Sequence, residues 1–360
     1  CDNMYYNKDE DPLCWRHGDD FVLLHIRTGH KNFLAEANKH MLSKHMGTLG
    51  GLKGDSTEVR VLNRILRFVQ PPYTSIDHSY IEWESDPRHL EILVKCLGIR
   101  PESKPLGQPS AKREKFADEA PLDENHITLY RSHCMRLQYL SQDRSDLQFA
   151  SKEFAREMPS PPNWSWSQSK RAVRYLHGAG RLVQQFHPQD FPEQMIVFSN
   201  SDFASCTRTR RSTSCVQVFL GSHLSKCTSK TQAVVSLSSG EAEFYAAVSG
   251  ASSAMGVRSL MTDLGQALSK PIMLRVDSTA CLGMAGRKGA GSVRHIHTPC
   301  LWIQGGVASG QIVLNKVDGT ENPADIGTKA VPQQIITRVL KQCGYKLLTG
   351  KSSIAFEAAV

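Results

Sequence analysis

A mixed α/β architecture, with helices packed on a central sheet, is what this sequence predicts for its C-terminal half. Three observations carry that expectation. From Gln194 onward, apolar runs alternate with turn signals, and QMIVFSNSD, SCVQVFLG and IMLRVD each read as a strand. A long helical stretch opens at a Ser-Ser-Gly signal between the second and third of these runs. The resulting order of three strands, helix, strand, helices, strand and helix is that of helices layered on a mixed sheet.

Composition sets the outer limits. At 360 residues the chain has room for two or three domains, and its 40% hydrophobic and 22% charged residues are ordinary for a globular protein. A net charge of +8 favours an anionic partner. Ten cysteines are scattered without a CxxC pair, and their spacing to histidines fits no zinc module. Reduced thiols in the cytosol or nucleus account for them most simply. No apolar run reaches membrane-spanning length and no signal peptide is visible, so no membrane partner is expected. The chain opens on Cys1 with the acidic DNMYYNKDEDP, which reads as a piece of something longer.

In chain order, residues 15–26 place Asp19 and Asp20 immediately before the hydrophobic run 21–24. Adjacent carboxylates in a turn beside a strand suit Mg²⁺, a hard cation that prefers oxygen; Asp-Asp also serves turns for purely local reasons. Residues 32–46 predict a helix, with Leu34, Ala37, Met41, Leu42 and His45 at helical spacing, and GTLGGLKGD breaks it. EVRVLNRILRFV and SYIEWES predict consecutive strands around the QPPYTS turn. DPRHLEILVKCLGI predicts an amphipathic helix through Leu90, Leu93, Val94 and Leu97, stopped by Gly98. Residues 100–122, rich in Pro, Lys, Ser and Glu, predict a linker. Helices follow over about 125–141 and 145–158, then a basic helix over 167–175. Lys170, Arg171, Arg174 and Arg181 there suit either a solvated face or nucleic-acid contact. Beyond Gln194, HLSKCTSK leads into a third strand and a helix covers 239–265. A strand ends at Asp277, a short helix starts at Ser278, and another lies near 297–308. QIVLNKV is a last strand, and NPADIGTK completes the domain.

The densest stretch is 233–251, AVVSLSSGEAEFYAAVSGA. Ser238 or Ser239 can cap its helix, and Glu241 and Glu243 lie where the backbone dipole favours acids. Ordinary N-terminal helix chemistry explains that much. Asp202, Asp277 and Asp325 each end another predicted element, however, and acids from separate elements can converge at strand ends to hold two Mg²⁺ ions. Such a pair activates water and stabilises the leaving oxygen of a phosphodiester; hard ions need several carboxylates for ligation and neutralisation. Phe244, Val248, Ala251 and Met255 form the large apolar face of the helix. Glu243 lies about 100° away, in line with Ala247, Gly250 and Ala254, a small-residue side suited to close approach on a sheet. Glu241 is nearer the apolar face, so periodicity does not select between the two glutamates. Between Phe203 and Gly240 the chain carries Arg208, Arg210, Arg211, Lys226 and Lys230 and no acid, which suits a phosphate-lined substrate.

These motifs match a family. SNSDFASCTRTRRSTSCVQVFLGSHLSKCTSKTQAVVSLSSGEAEFYAA, followed by VDSTACL, VRHIHTPCLWI and NPADIGTK, resembles the ribonuclease H domain of copia-type retrotransposon Pol polyproteins. The family pattern runs S-D-A-D-W-A-G, R-x-S-T-S-G, S-K-x-Q, L-S-S-x-E-A-E-Y, D-N-x-S-A, K-H-I-D and A-D-x-L-T-K, and order and spacing agree. LQYLSQDRSDLQFASKEFAREM and KRAVRYLHG resemble the segment that links reverse transcriptase to ribonuclease H, and HGDDF resembles the Tyr-X-Asp-Asp turn of the reverse transcriptase.

The resemblance implies a truncated α+β reverse transcriptase palm/thumb remnant over 1–100, a linker and helical connection over 101–190, a ribonuclease H-like domain over 191–345 and a tail over 346–360. It implies Mg²⁺ or Mn²⁺, two ions in an intact site, and an RNA·DNA hybrid as partner. Glu243 takes the helix-borne catalytic role, Asp277 the strand-end carboxylate and Asp325 the late carboxylate. The first catalytic aspartate falls on Asn200, which supplies no charge; Asp202, two residues on and on the same strand face, is a possible substitute. Ribonuclease activity is therefore expected to be absent or very weak. Phe203 for Trp, Cys215 for Gly, His297 for Asp, and Gly327 and Ala330 in the final motif point to decay. Most of the polymerase, including another essential aspartate, would precede residue 1, so Asp19 and Asp20 are expected to make no polymerase site alone.

Overall fold

A computed structural model of the chain describes residues 4–6, 13–24, 29–113 and 117–355. Strands β1 (Met4–Tyr6), β2 (Leu13–His17) and β3 (Asp20–Leu24) form a small antiparallel sheet. Gly18 and Asp19 make the β2–β3 turn, Gly18 with the positive φ such a turn asks of a glycine. Helix α1 is Gly29–His40. The helix expected over 32–46 therefore ends early: Asn38 accepts from Ser43 N and Oγ, and Met41, Leu42 and Met46 remain exposed. Without a surface to pack on, the apolar spacing alone does not sustain it.

The run 58–69, expected as one strand, is a hairpin of β4 (Glu58–Val61) and β5 (Arg64–Val69). Leu62 and Asn63 turn it with φ of 47° and 68°, the left-handed pair that a tight hairpin turn requires. Strand β6 (Tyr80–Glu84) and helices α2 (Arg88–Cys96), α3 (Glu124–Leu140), α4 (Gln148–Glu157) and α5 (Asn163–Ala179) follow. Strand β7 (Leu182–Phe186), inside the stretch expected to be purely linker and helical, pairs with β6. Leu93, Tyr130, Leu137, Phe154, Val173 and Leu176 form the core among these helices. The basic helix is longer than expected, and Lys170 and Arg174 on it, with Arg181 just beyond its end, are engaged. Arg174 donates to the Lys104 carbonyl, Arg181 to Glu84 and the Thr349 carbonyl, and Lys170 lies over the Trp166 ring.

The C-terminal half has β8 (Met195–Asp202), β9 (Thr213–Leu220), β10 (His223–Thr231), α6 (Ser239–Asp263), β11 (Ile272–Val276), α7 (Thr279–Gly286), α8 (Trp302–Ala308) and β12 (Ile312–Lys316). A 3-10 turn over Pro323–Gly327, helix α9 (Gln333–Gln342) and strand β13 (Tyr345–Leu347) end it. Its sheet runs β10-β9-β8-β11-β12, antiparallel through β8 and parallel from β8 to β12. This is the ribonuclease H-like mixed sheet with flanking helices that the resemblance implies. Helix α6 crosses one face, where a Cβ on Gly250 would lie 3.2 Å from Val197 and 3.4 Å from Leu274. The small-residue side of α6 thus meets the sheet, as helical period expects. Phe198 and Phe219 on the other face pack against Ala324, Ile326, Ile336 and Val339.

β13 does not belong to that sheet. It pairs with β7, giving a second sheet in the order β13-β7-β6-β5-β4 and crossing the boundary expected at 345. In this sheet Arg67 binds Glu58, Glu82 and Glu84 together, a semi-buried cation satisfied by three carboxylates.

Candidate active site

Parallel strands β8 and β11 lie side by side, with Arg275 opposite Phe198. Two residues further on, Asn200 and Asp277 reach the carboxyl ends of their strands, the edge where open α/β sheets place their chemistry. Alternation along β8 sends Ser199 and Ser201 towards α6, while Phe198, Asn200 and Asp202 point to the opposite face. Ser201 accordingly meets Glu243: its N and Oγ donate to Glu243 Oε1 at 3.0 and 2.8 Å. Asn200 meets Asp325 instead, its Nδ2 donating to Oδ1 at 3.2 Å. Lys329 Nζ closes on the same Oδ1 at 2.7 Å.

Glu243 is 8% exposed, and its Oε2 has no hydrogen-bond partner among the described residues. Burial, with a smaller push from the Asp277 charge, raises its carboxyl to about 7 against the pull of Ser201 and Lys329. Burial likewise raises Asp277, with Asp325 adding to the push, while the Asn322 amide acts the other way. Asn322 is fully buried and donates to the Ser199 carbonyl at 3.0 Å, so it ties the end of β8 to the turn carrying Asp325. Asp202 is raised chiefly by burial, and Asp325 acts on it in the same direction.

Glu243, Asp277, Asn200, Asp202 and Asp325 are therefore gathered around one sheet edge. Glu241 is not part of that group. It is buried, accepts from Leu237 N at 2.8 Å and from His295 Nε2 at 2.8 Å, and its own N–H bonds the Ser238 cap. Ser238 thus caps α6, and the Glu241 carboxylate reaches back one residue beyond the cap, to Leu237, and holds His295 as well. Asp19 and Asp20 lie elsewhere, exposed at the β2–β3 turn of the small sheet. Tyr6 of that sheet meets Gly265, beyond the far end of α6 from Glu243. Residues 25–28 after the turn lie outside the described residues.

The basic residues divide into two groups. Arg208, Arg210 and Arg211 occupy the β8–β9 loop next to Asp202, and Arg208 pairs with Glu157 at 2.7 Å. Lys226 and Lys230 stand on edge strand β10, beside a groove lined by Tyr245, Val248, Ser252 and Trp302.

Sequence reading had assigned no role to Ser201, Lys329, Asn322 or His295. All four lie within quoted motifs, Asn322 and Lys329 in NPADIGTK, His295 in VRHIH and Ser201 in SNSDFASC, where it stands at the alanine of the family pattern. A hydroxyl at the alanine position was the available signal.

The residues present only partly fit a pair of divalent ions. Orphaned Glu243 Oε2 beside Asp277 is an oxygen pair suited to a hard cation. On the Asp325 side the neighbours are the uncharged Asn200 amide and the Lys329 ammonium. Among the described residues, no group of three histidine, cysteine or acidic side chains stands ready to hold a metal.

Relatives of the chain include the retrovirus-related Pol polyprotein from transposon RE2 of Arabidopsis thaliana, 28% identical over 246 residues and 67% of this chain. The corresponding polyprotein of Arabidopsis transposon RE1 is 26% identical over 71% of this chain, and that of tobacco transposon TNT 1-94 is 24% identical over 81%. The chain is homologous to copia-type retrotransposon Pol polyproteins. It spans 17% of the length of each Arabidopsis polyprotein and 23% of the tobacco one. No protein-family model matches it. Among solved structures, the N-terminal RNase H domain of a Mycobacterium tuberculosis protein covers 41% of this chain and 96% of itself, at 14% identity and a TM-score of 0.27. A foamy viral protease–reverse transcriptase in complex with RNA/DNA hybrid covers 83% of this chain and 34% of itself, at 8% identity and a TM-score of 0.42. Within the Pol-like frame, the carboxylates lie where β8, α6, β11 and the Pro323–Gly327 turn converge. Among the described residues, no helix is long and apolar enough to cross a membrane.

Proposed function

We propose that the chain is the ribonuclease H-type module of a copia-type Pol polyprotein, preceded by a reverse transcriptase remnant, and that it binds RNA·DNA hybrid but cleaves it weakly or not at all. The observation that carries this reading is the Asn200 amide donating to Asp325 where the family pattern has a charged oxygen ligand. Hybrid cleavage by two Mg²⁺ or Mn²⁺ ions needs carboxylates to neutralise both. Here Glu243 and Asp277 offer oxygens to an ion, Asp325 is engaged by Lys329, and Asp202 is the nearest substitute on the Asn200 face. Arg208, Arg210 and Arg211 beside the sheet edge, with Lys226 and Lys230 on β10, supply the positive surface for phosphates. Contacts with 2′-hydroxyls would distinguish the RNA strand.

Polymerase chemistry is no part of the proposal, because Asp19 and Asp20 occupy an exposed turn in a separate sheet. The described cysteines are all free thiols, in keeping with action in the cytosol or nucleus. A catalytically silent hybrid-binding remnant is the second reading, favoured by the same Asn200 contact.

A hybrid-cleavage assay in Mg²⁺ and Mn²⁺ tests the enzyme reading. Trace or no cleavage by the chain and a clear gain in Asn200→Asp are expected; strong, equal cleavage by both would overturn it. Hybrid binding should also weaken steeply with added salt, and salt-insensitive binding would argue against the phosphate contacts.

A further inference from the structure

Register places Lys226 and Lys230 on the face of the sheet that helix α6 covers. Lys226 lies opposite Val218, itself opposite Val197, and Lys230 lies opposite Ser214, itself opposite Ser201. Directly paired residues share a face, and Val197 and Ser201 are residues that meet α6. The two ammonium groups therefore stand exposed at the β10 edge of that face, and among the described residues neither pairs with a carboxylate. They line a groove that runs along α6 from Tyr245 to Leu260. Its floor is the side of α6 turned away from Gly250, with Ser252 exposed and open space over Gly256. Trp302, at the start of α8 and 40% exposed, lines it too. No aspartate or glutamate occurs on α6 between Glu243 and Asp263, on β10, or anywhere from Ser278 to Val317, so the charge on these walls is positive throughout.

We propose that this groove binds single-stranded nucleic acid, with Lys226 and Lys230 on its phosphates and the Trp302 ring against a base. Cations beside an aromatic face suit a flexible single strand, whereas the bases of a duplex are stacked on one another and offer Trp302 no face. An acidic peptide would satisfy the lysines and likewise leave Trp302 without a base. The hydroxyl of Ser252 can bond sugar and phosphate oxygens of any sequence. Lys226 and Lys230 are four strand positions apart, about 13 Å, a span of about four stacked nucleotides at roughly 3.4 Å each. The groove begins two residues along α6 from Glu243, so a strand running off the end of a bound hybrid would enter it directly. That continuity rests on the ribonuclease H-type reading; the single-strand site does not, and its test needs no hybrid.

The experiment follows the fluorescence anisotropy of a labelled oligothymidylate of about twelve nucleotides, titrated with the full chain at several salt concentrations. The chain should bind it saturably. Trp302→Ala should weaken binding by about 5- to 150-fold, the loss of one stacked base, and Trp302→Phe should recover most of it. Lys226→Ala combined with Lys230→Ala should lower the slope of log Kd against log salt by about 1.4, as two lost phosphate contacts on a single strand require. Ser252→Glu, which puts a negative charge on the exposed floor, should weaken binding as well. Circular dichroism of each variant separates loss of binding from loss of fold; if Trp302→Ala unfolds, Ser252→Glu replaces it. No binding, or unchanged affinity in a folded Trp302→Ala variant, would overturn the proposal. Displacement by polyglutamate as effective as by unlabelled oligothymidylate would also overturn it, and would mark a surface for acidic peptides instead. A chain that binds the oligothymidylate through Trp302 yet ignores hybrid would leave this inference standing and defeat the functional reading.

Discussion

Single side chains at the sheet edge set properties that bulk measurements can read. Glu243 is held at about 7 rather than its ordinary 4.5, chiefly by burial. Between those values the folded chain keeps a proton that the unfolded chain has released. Its contribution to metal-free stability therefore falls as pH rises through this window and levels off above about 7. The loss is of order 2–3 kcal/mol. Urea denaturation in a chelator at pH 5 and pH 7.5 should show it, and Glu243→Gln should remove it; an unchanged slope in the variant would refute the assignment. A second readable residue is Cys206 in the β8–β9 loop. Burial pushes its thiol up, but hydrogen bonds from Thr209 and Arg156 and the Arg156 charge outweigh burial and bring it down to about 7. Arg156 Nη2 lies 2.8 Å from the sulfur. Alkylation by iodoacetamide should therefore titrate with a midpoint near 7, and Arg156→Ala should move that midpoint upward; a midpoint near 9 in the unaltered chain would contradict it. Residue types alone made the carboxylates visible in the sequence. Glu243 and Glu241 could not be told apart by helical period because both are buried, one against Ser201 and one against Leu237 and His295. The distinction lies in what each glutamate touches across the fold, and a helical wheel does not contain it.

Elements explain two departures that, taken separately, suggest decay. Cys215 stands where the family pattern has Gly, and Gly327 stands where it has Leu. In the fold they are neighbours: a Cβ on Gly327 would lie 2.4 Å from Cys215 Sγ and 3.0 Å from its Cβ. The Cys215 side chain fills the space that a side chain at 327 would need, so the turn that carries Asp325 seats on the sheet with glycine there. Ser229 Oγ donating to the Gly327 carbonyl at 2.5 Å fixes the same contact from β10. Restoring Leu at 327 alone should overpack the joint and cost about 1–3 kcal/mol. Combining it with Cys215→Gly should recover part of that loss, with a favourable coupling above about 0.5 kcal/mol in a double-mutant cycle. Additive losses from the two changes would show that the residues do not compensate. At the start of α6, Ser238→Ala should cost about 1 kcal/mol, since the Ser238 oxygen accepts from Glu241 N at 3.2 Å; urea midpoints would measure it. The cap was legible because its signal is local. The exchange between Cys215 and Gly327 was not, because the partners are 112 positions apart in sequence, as their numbers show.

At the scale of the whole molecule, the C-terminal segment returns to the sheet formed near the beginning of the chain. Strand β13 pairs with β7, and Tyr345 donates to the Asp143 carbonyl at 2.9 Å. Beyond it, the Thr349 carbonyl accepts from Arg181 at 2.7 Å, Lys351 pairs with Glu91 at 2.6 Å, and Ser352 donates to Glu58 at 3.0 Å. Arg60 reaches the Ile354 carbonyl as well. These contacts fasten strands from the segment before residue 100 to the last described residues, while Gln184 on β7 donates to the Leu224 carbonyl at 2.9 Å and links the two large sheets. Sequence pattern marked the ribonuclease H-like sheet because β8, β9, β11 and β12 each show an apolar run, and the polar HLSKCTSKT of β10 follows β9 across a short turn. It missed β7 because LVQQF directly follows a helix and its two glutamines break the apolar run, and β13 because YKL is too short to declare a period; both acquire partners only through the fold. Deleting residues 344–360 should therefore damage the distant end of the sequence first. Losing β13 exposes the β7 edge, and losing the Thr349, Lys351 and Ser352 contacts leaves Arg181, Glu91 and Glu58 without those partners. Limited proteolysis should then cut the strands over 58–84 well before the β8–α6 region, whose core of Val197, Phe244, Ala251 and Leu274 does not include the tail. Equal protection of the 58–84 strands with and without the tail would show that the early sheet stands by itself. Early cutting confined to 195–263 would place the tail's stabilising role on the wrong sheet.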